Sequence, residues 1–237
     1  AYRLFNFVLA AAIFGTALTG LYNWRLLTTF PPDRATIVPG DFWEVHFPMH
    51  ATTVAAWQRG GPPLWAPGVN GGHPALADSQ FSAFYPPTIL VARLLGSSPY
   101  TPDVLIRESL VHEAVGFLGA FLFLLHLGHC RMDTGAATRC ASGSRRTPSA
   151  PVLFGALVGT CCFAFGGYAT SYPLQVTVIV EVATWLPWML LGVDLALTTG
   201  RLAWSALGAV PVALAALAGH PQTLAEALDV VALLWLW

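Results

Sequence analysis

The sequence predicts an all-α integral membrane protein of about six transmembrane helices, with one long extracytoplasmic loop after the first. Three observations carry that prediction. Of 237 residues, 55% are hydrophobic and 10% charged, and the mean hydropathy is +0.61, above that of a domain with a wholly aqueous surface. Apolar runs of roughly membrane length recur along the chain. Between the first run and the rest lies a polar and aromatic insert, Gly40 to Pro87, holding His46, His50 and His73 with the acids Asp41 and Glu44.

The first span is Leu4 to Tyr22, too long for a signal-peptide core and followed by further spans, so it is read as retained. In the insert, Pro39-Gly40 turns the chain and Asp41 is placed to cap a helix from Phe42 to Gln58, with Glu44 completing a variant capping box. Phe42, Val45, Met49, Val54 and Trp57 fall mainly along one side of that helix, which suits a helix lying in the membrane interface. Gly60-Gly61-Pro62-Pro63 ends it. The remainder, through Gly71-Gly72 and Tyr85-Pro86-Pro87, has the composition of an irregular packed loop. Ile89 to Leu95 is too short to cross. The other spans are Val104 to Leu127, Pro151 to Thr170, Val176 to Leu197, Ala203 to Ala218 and Pro221 to Trp237.

Arginines orient these spans, because positive residues are retained in the cytoplasm. Residues 129–150 carry Arg131, Arg139, Arg145 and Arg146 in a Gly, Ser and Thr-rich connector, which makes that loop cytoplasmic. Alternation from it puts Arg3, Arg201 and the N-terminus inside. It leaves the 40–87 insert and the turns Ser171 to Gln175 and Gly219 to Gln222 together on the outer face. The chain thus reads as one polytopic membrane domain, 1–237, with its N-terminus inside. It starts without Met and stops inside the apolar run Val230 to Trp237, and reads as the N-terminal part of a longer protein.

Composition excludes several classes. The formal net charge is −1 and the basic residues are scattered arginines, so no footprint for nucleic acid exists. Adjacent Cys161 and Cys162 would make a strained disulfide, and Cys130 and Cys140 fall in the cytoplasmic loop, where thiols stay reduced. His126, His129, Cys130 and Cys140 match no zinc spacing. No Walker, GxSxG or HExxH motif is present.

Two sets of residues are candidates for chemistry. Asp41 and Glu44, at i and i+3, either cap a helix or present two carboxylates that orient and deprotonate a hydroxyl. Glu181, Glu226 and Asp229 lie inside spans, where ionisable residues default to function. With His220 and Gln222, Glu181 and Glu226 form an outer-face group, or else Glu181 pairs internally with Arg107, near Glu108, His112 and Glu113. Gly71-Gly72-His73-Pro74, Asp78 and Tyr85 either line a pocket or form a tight turn. Trp43, Trp57, Trp65, Trp185 and Trp188 read as interfacial anchors, a type that also stacks on sugar rings.

In their order, Gly40-Asp41, Gly61-Pro62-Pro63-Leu64-Trp65-Ala66-Pro67, Gly71-Gly72-His73-Pro74, Phe84-Tyr85-Pro86-Pro87, Phe165-Gly166-Gly167-Tyr168, Trp185-Leu186-Pro187-Trp188 and Ala218-Gly219-His220-Pro221-Gln222 cover most of the chain. So ordered, the chain resembles the YfhO-type bacterial membrane proteins, relatives of the GT-C glycosyltransferases. The resemblance implies a GT-C-like architecture and a catalytic aspartate, matched by Asp41, assisted by Glu44. It implies a polyprenyl-phosphate sugar entering from the membrane lipids and an acceptor in the cell envelope. His73, Asp78, Tyr85, Glu181, His220 and Gln222 would bind substrate, with His73, His220 or an arginine holding the phosphate. No cofactor is expected: the acidic pair that metal-dependent relatives carry in a later loop is missing, so a divalent metal has no support. Such enzymes continue through more spans than this chain. Two other classes fit the same sequence, an accessory or scaffold subunit docking membrane-protein partners through the loop, and a transporter using the intramembrane acids.

Overall fold

The protein was examined as a computed structural model, which describes residues 2–30, 40–131, 148–168 and 176–236. The connector bearing Arg139, Arg145, Arg146 and Cys140, the turn 171–175 and Pro39 lie outside the described residues. The chain is all-helical, with no β-strand among the described residues; an isolated bridge joins Ala66 to His73.

Largely apolar sequence produces the helices. They are α1 (Tyr2–Tyr22), followed by the single turn α2 (Trp24–Leu27), then α5 (Pro102–Arg131), α6 (Ala150–Phe165), α7 (Thr177–Ala183), α8 (Leu186–Thr199), α9 (Ala203–Ala218) and α10 (Pro221–Leu236). Between α2 and α5 the insert folds into a π-helical turn (Phe42–His46), α3 (Phe47–Gln58), two 3₁₀ turns (Ala75–Ala77 and Ser79–Phe81) and α4 (Pro86–Leu95). Among the described residues, two segments are long and apolar enough to cross a membrane, Pro102–His129 in α5 and Thr177–Thr199 across α7 and α8. Phe7–Tyr22 of α1, α4, α6 and α9 are apolar and shorter.

Pro187 breaks α7 from α8. It has no N–H for the carbonyl of Ala183, so the ladder lapses into a turn at Thr184–Trp185. The break falls just past Glu181, and the turn lets Trp185 reach back toward the insert. α5 is the central helix, packed on α1, α6 and α8. α8 and α9 approach so closely that a Cβ on Gly192 would overlap the backbone of Gly208, the small-residue contact by which helices pack without a hydrophobic driving force.

The insert is folded onto one end of this bundle. Phe42, Val54, Ala92 and Tyr100 bury with Leu105 and Ile106 of α5, and Tyr85 buries with Val182, Met189, Ala215 and Ala218. Met49, Ala66, Ala75 and Phe81 form the insert's own apolar cluster. Polar ties fix the register: Thr53 Oγ1 donates to the Phe81 carbonyl (2.7 Å), and Ser82 Oγ donates to the Ala218 carbonyl (2.8 Å). Gly219, at φ +92°, turns the α9–α10 corner directly beneath the carbonyl of Ser79.

Local readings of the insert need correction. Asp41 does not cap α3: it has helical dihedrals (φ −54°, ψ −29°) and makes no side-chain capping bond, because the chain enters through a π turn in which the Trp43 and Glu44 amides bond the Gly40 carbonyl. The buried face of the turn and α3 carries Phe42, His46, Met49, His50, Thr53 and Val54, so this side is packed on protein and is not purely apolar. Three tryptophans spend their indole N–H inside: Trp57 on the Ala83 carbonyl (2.8 Å), Trp188 on the Val115 carbonyl (3.1 Å) and Trp185 on the Tyr85 hydroxyl (2.9 Å).

Candidate functional site

The helical repeat puts His46 and His50, at i and i+4, on the same side of the turn and α3, facing the bundle. The same spacing puts Glu108 and His112 on one side of α5. α7 presents Glu181 to both. The result is a buried polar cluster at the end of the bundle covered by the insert: His50 (0% exposed), Glu181 (1%), Glu108 (6%) and His112 (4%).

Each member has a defined setting. Glu108 accepts from the Tyr100 hydroxyl at Oε2 (2.6 Å) and from Thr88 at Oε1 (3.3 Å). His112 Nδ1 lies 2.7 Å from the carbonyl of Glu108, which can only accept, so Nδ1 carries the proton and Nε2 accepts from the Tyr85 hydroxyl (2.7 Å). Tyr85 in turn accepts from Trp185, which closes the chain of bonds. His50 Nε2 stands 3.6 Å from Glu181 Oε1, too far for a direct hydrogen bond, and both ring nitrogens of His50 and Oε2 of Glu181 have no partner among the described residues.

Burial sets the electrostatics of the insert's side of the cluster. Loss of solvent pushes His50 down to about 3, with His46 and His112 adding to the effect, so its imidazole is neutral at physiological pH. Loss of solvent also pushes His46 down to about 4, although Asp41 opposes the shift. Tyr85 and Tyr100 are held above the ordinary phenol value by burial, and next by the charge of Glu181 at Tyr85 and of Glu108 at Tyr100.

The residues singled out from sequence fall into three places. Asp41 and Glu44 are exposed at the entrance of the insert, and Asp41 is close enough to His46 to act on it electrostatically. His46, itself buried, also feels His220. His220 Nδ1 accepts from the Thr223 amide (3.2 Å) and caps α10, while Gln222 donates to Glu226 (3.1 Å). Glu181 and Tyr85 belong to the buried cluster. His73 and Asp78 are apart from both: they bond each other at 2.9 Å, Asp78 caps the second 3₁₀ turn through the Gln80 amide, and the two glycines before His73 form the turn that brings it back to Ala66. Glu181 faces His50 rather than Arg107, which is exposed, and Glu113 accepts from Asn23 (3.0 Å).

Sequence reasoning passed over His46, His50, Tyr100, Glu108 and His112 as site residues. The signals were the i, i+4 spacings, His46 to His50 and Glu108 to His112, each on a helix already drawn. What hid them was the assumption that α3 lay on lipid, which left its histidines without a partner.

Beside the cluster, a largely apolar cavity of about 520 Å³ lies among α5, α6, α7 and α10, lined by Gly116, Phe163, Ile179, Ala183 and Val230 with Glu113 and Glu226 at its polar spots. Thr223 and Glu226 also line it, and they bond His220 and Gln222. No family model, no curated protein and no solved structure matches the chain.

Proposed function

We propose that this chain is a six-span membrane glycosyltransferase of GT-C-like architecture, related to the YfhO-type proteins, with its N-terminus in the cytoplasm of a bacterial inner membrane and its insert outside. It transfers a sugar from a polyprenyl-phosphate donor to an acceptor in the cell envelope. The observation that carries the reading is a largely apolar cavity whose lining residues Thr223 and Glu226 bond His220 and Gln222. An isoprenoid chain would enter such a cavity, with its sugar phosphate beside His220 and Gln222, where binding needs polar groups.

In the transfer, the acceptor hydroxyl oxygen attacks the anomeric carbon, the bond from that carbon to the phosphate oxygen breaks, and the polyprenyl phosphate leaves with the electron pair. The hydroxyl proton passes to the Asp41 carboxylate, with Glu44 orienting the acceptor. His220 and Gln222 face the leaving phosphate. Asp41→Asn is expected to reduce transfer from a polyprenyl-phosphate hexose by about 100-fold or more, with membrane insertion intact. Transfer at the wild-type rate by Asp41→Asn would end this reading.

A second reading rests on the exposed Trp43, Leu64, Trp65 and Phe84 of the insert. An accessory subunit would dock a partner through them. It predicts loss of partner co-purification on changing Trp43 or Trp65, with Asp41 replaceable.

A further inference from the structure

Three ligand-bearing side chains from three distant parts of the sequence, His50 on α3, Glu108 on α5 and Glu181 on α7, place one donor atom each within 4.8 Å of one another. Two carboxylates side by side in a buried space repel, and burying each alone is costly unless positive charge balances them. The chain has no lysine, and no arginine pairs with either carboxylate among the described residues. The 3.6 Å separation of His50 Nε2 and Glu181 Oε1 is long for a hydrogen bond, yet it is close to the about 3.4 Å expected between two donors on one tetrahedral ion. Among the described residues, both His50 nitrogens and Glu181 Oε2 are buried without a hydrogen-bond partner, which leaves donor capacity for an ion. Tyr100 and Thr88 donate to the two oxygens of the Glu108 carboxylate, each of which keeps a second lone pair, the support that ligating carboxylates usually have.

We propose that His50, Glu108 and Glu181 bind one divalent transition-metal ion, Zn²⁺ or Mn²⁺, which clamps the insert to the helical bundle. One imidazole with two carboxylates suits these ions and not Mg²⁺ or Ca²⁺, which favour all-oxygen sites. One neutral histidine, two carboxylates and a doubly charged ion sum to zero, which removes the cost of the buried acids. The assignment does not depend on sugar transfer.

The test uses the full chain in detergent, stripped with EDTA and titrated separately with Zn²⁺, Mn²⁺ and Mg²⁺, with bound metal counted after desalting. One Zn²⁺ or Mn²⁺ per chain is expected, with a raised melting temperature. His50→Gln and Glu181→Gln should each weaken binding by about 10- to 100-fold, and Glu113→Gln, a change to a half-buried acid outside the cluster, should leave it unaltered. Should the two cluster variants misfold, Co²⁺ on the wild-type chain decides: bands of nitrogen and oxygen ligation support the site, and thiolate charge-transfer bands put the ion on cysteine and overturn it. Absence of saturable binding, binding of Mg²⁺ alone, or binding unchanged in folded His50→Gln and Glu181→Gln chains also overturns it.

Discussion

His46 shows how one side chain couples the insert to pH. Folding holds its imidazole neutral, lowering its pKa from 6.5 to about 4, chiefly because burial removes the water that would solvate the cation. Below 6.5 the unfolded chain takes up a proton that the folded chain refuses. Its contribution is therefore complete above pH 6.5, falls as the pH drops toward 4, and is lost below that, a change of about 3 kcal/mol. Melting temperatures recorded across that window should fall steeply for the wild-type chain and less steeply for His46→Gln. Equal slopes would show that His46 is not the group responsible. Asp41, by contrast, is exposed and lies close enough to His46 to act on its charge. The sequence displayed both residues, but nothing local distinguishes a buried histidine from an exposed aspartate when they are five residues apart on one turn.

Among the elements, the α9–α10 corner binds the insert to the bundle. Gly219 has positive φ and no room for a Cβ, which would run into the carbonyl of Ser79. Gly200, at φ +65°, ends α8 with nothing near the position of its missing Cβ. Gly200→Ala should therefore cost about 1 kcal/mol, the strain of a left-handed alanine alone. Gly219→Ala should cost roughly 2 to 4 kcal/mol, since the insert must also shift. Thermal melts of the two variants compare them directly, and equal losses would mean that the insert is not seated on this corner. The helices themselves were legible from hydropathy: α5, α9 and α10 begin within two residues of their sequence limits, since an apolar run bounded by Pro, Gly or Arg has few alternatives. The π turn was not legible, because it depends on how the entering chain meets the bundle and not on which residues enter it.

For the whole molecule, the sidedness of the proposed six-span topology is open to a direct measurement. Single cysteines at Trp65 and Arg201, both exposed, introduced after replacing the native cysteines, should react from opposite sides of sealed cells with a membrane-impermeant maleimide. Trp65→Cys should label from outside and Arg201→Cys only after permeabilisation. Labelling of both from one side would overturn the topology. By itself the sequence determined the helical class, the succession of apolar segments and the presence of a polar insert, because hydropathy and chain punctuation act over neighbouring residues. Only the tertiary structure decided which polar residues meet. His50, Glu108 and Glu181 are separated by more than fifty positions at each step, and their convergence follows from the break at Pro187, the seat at Gly219 and the apolar burial of Phe42, Val54 and Tyr85. No local pattern encodes that meeting: it is the sum of packing contacts, each of which exists only once the others have formed.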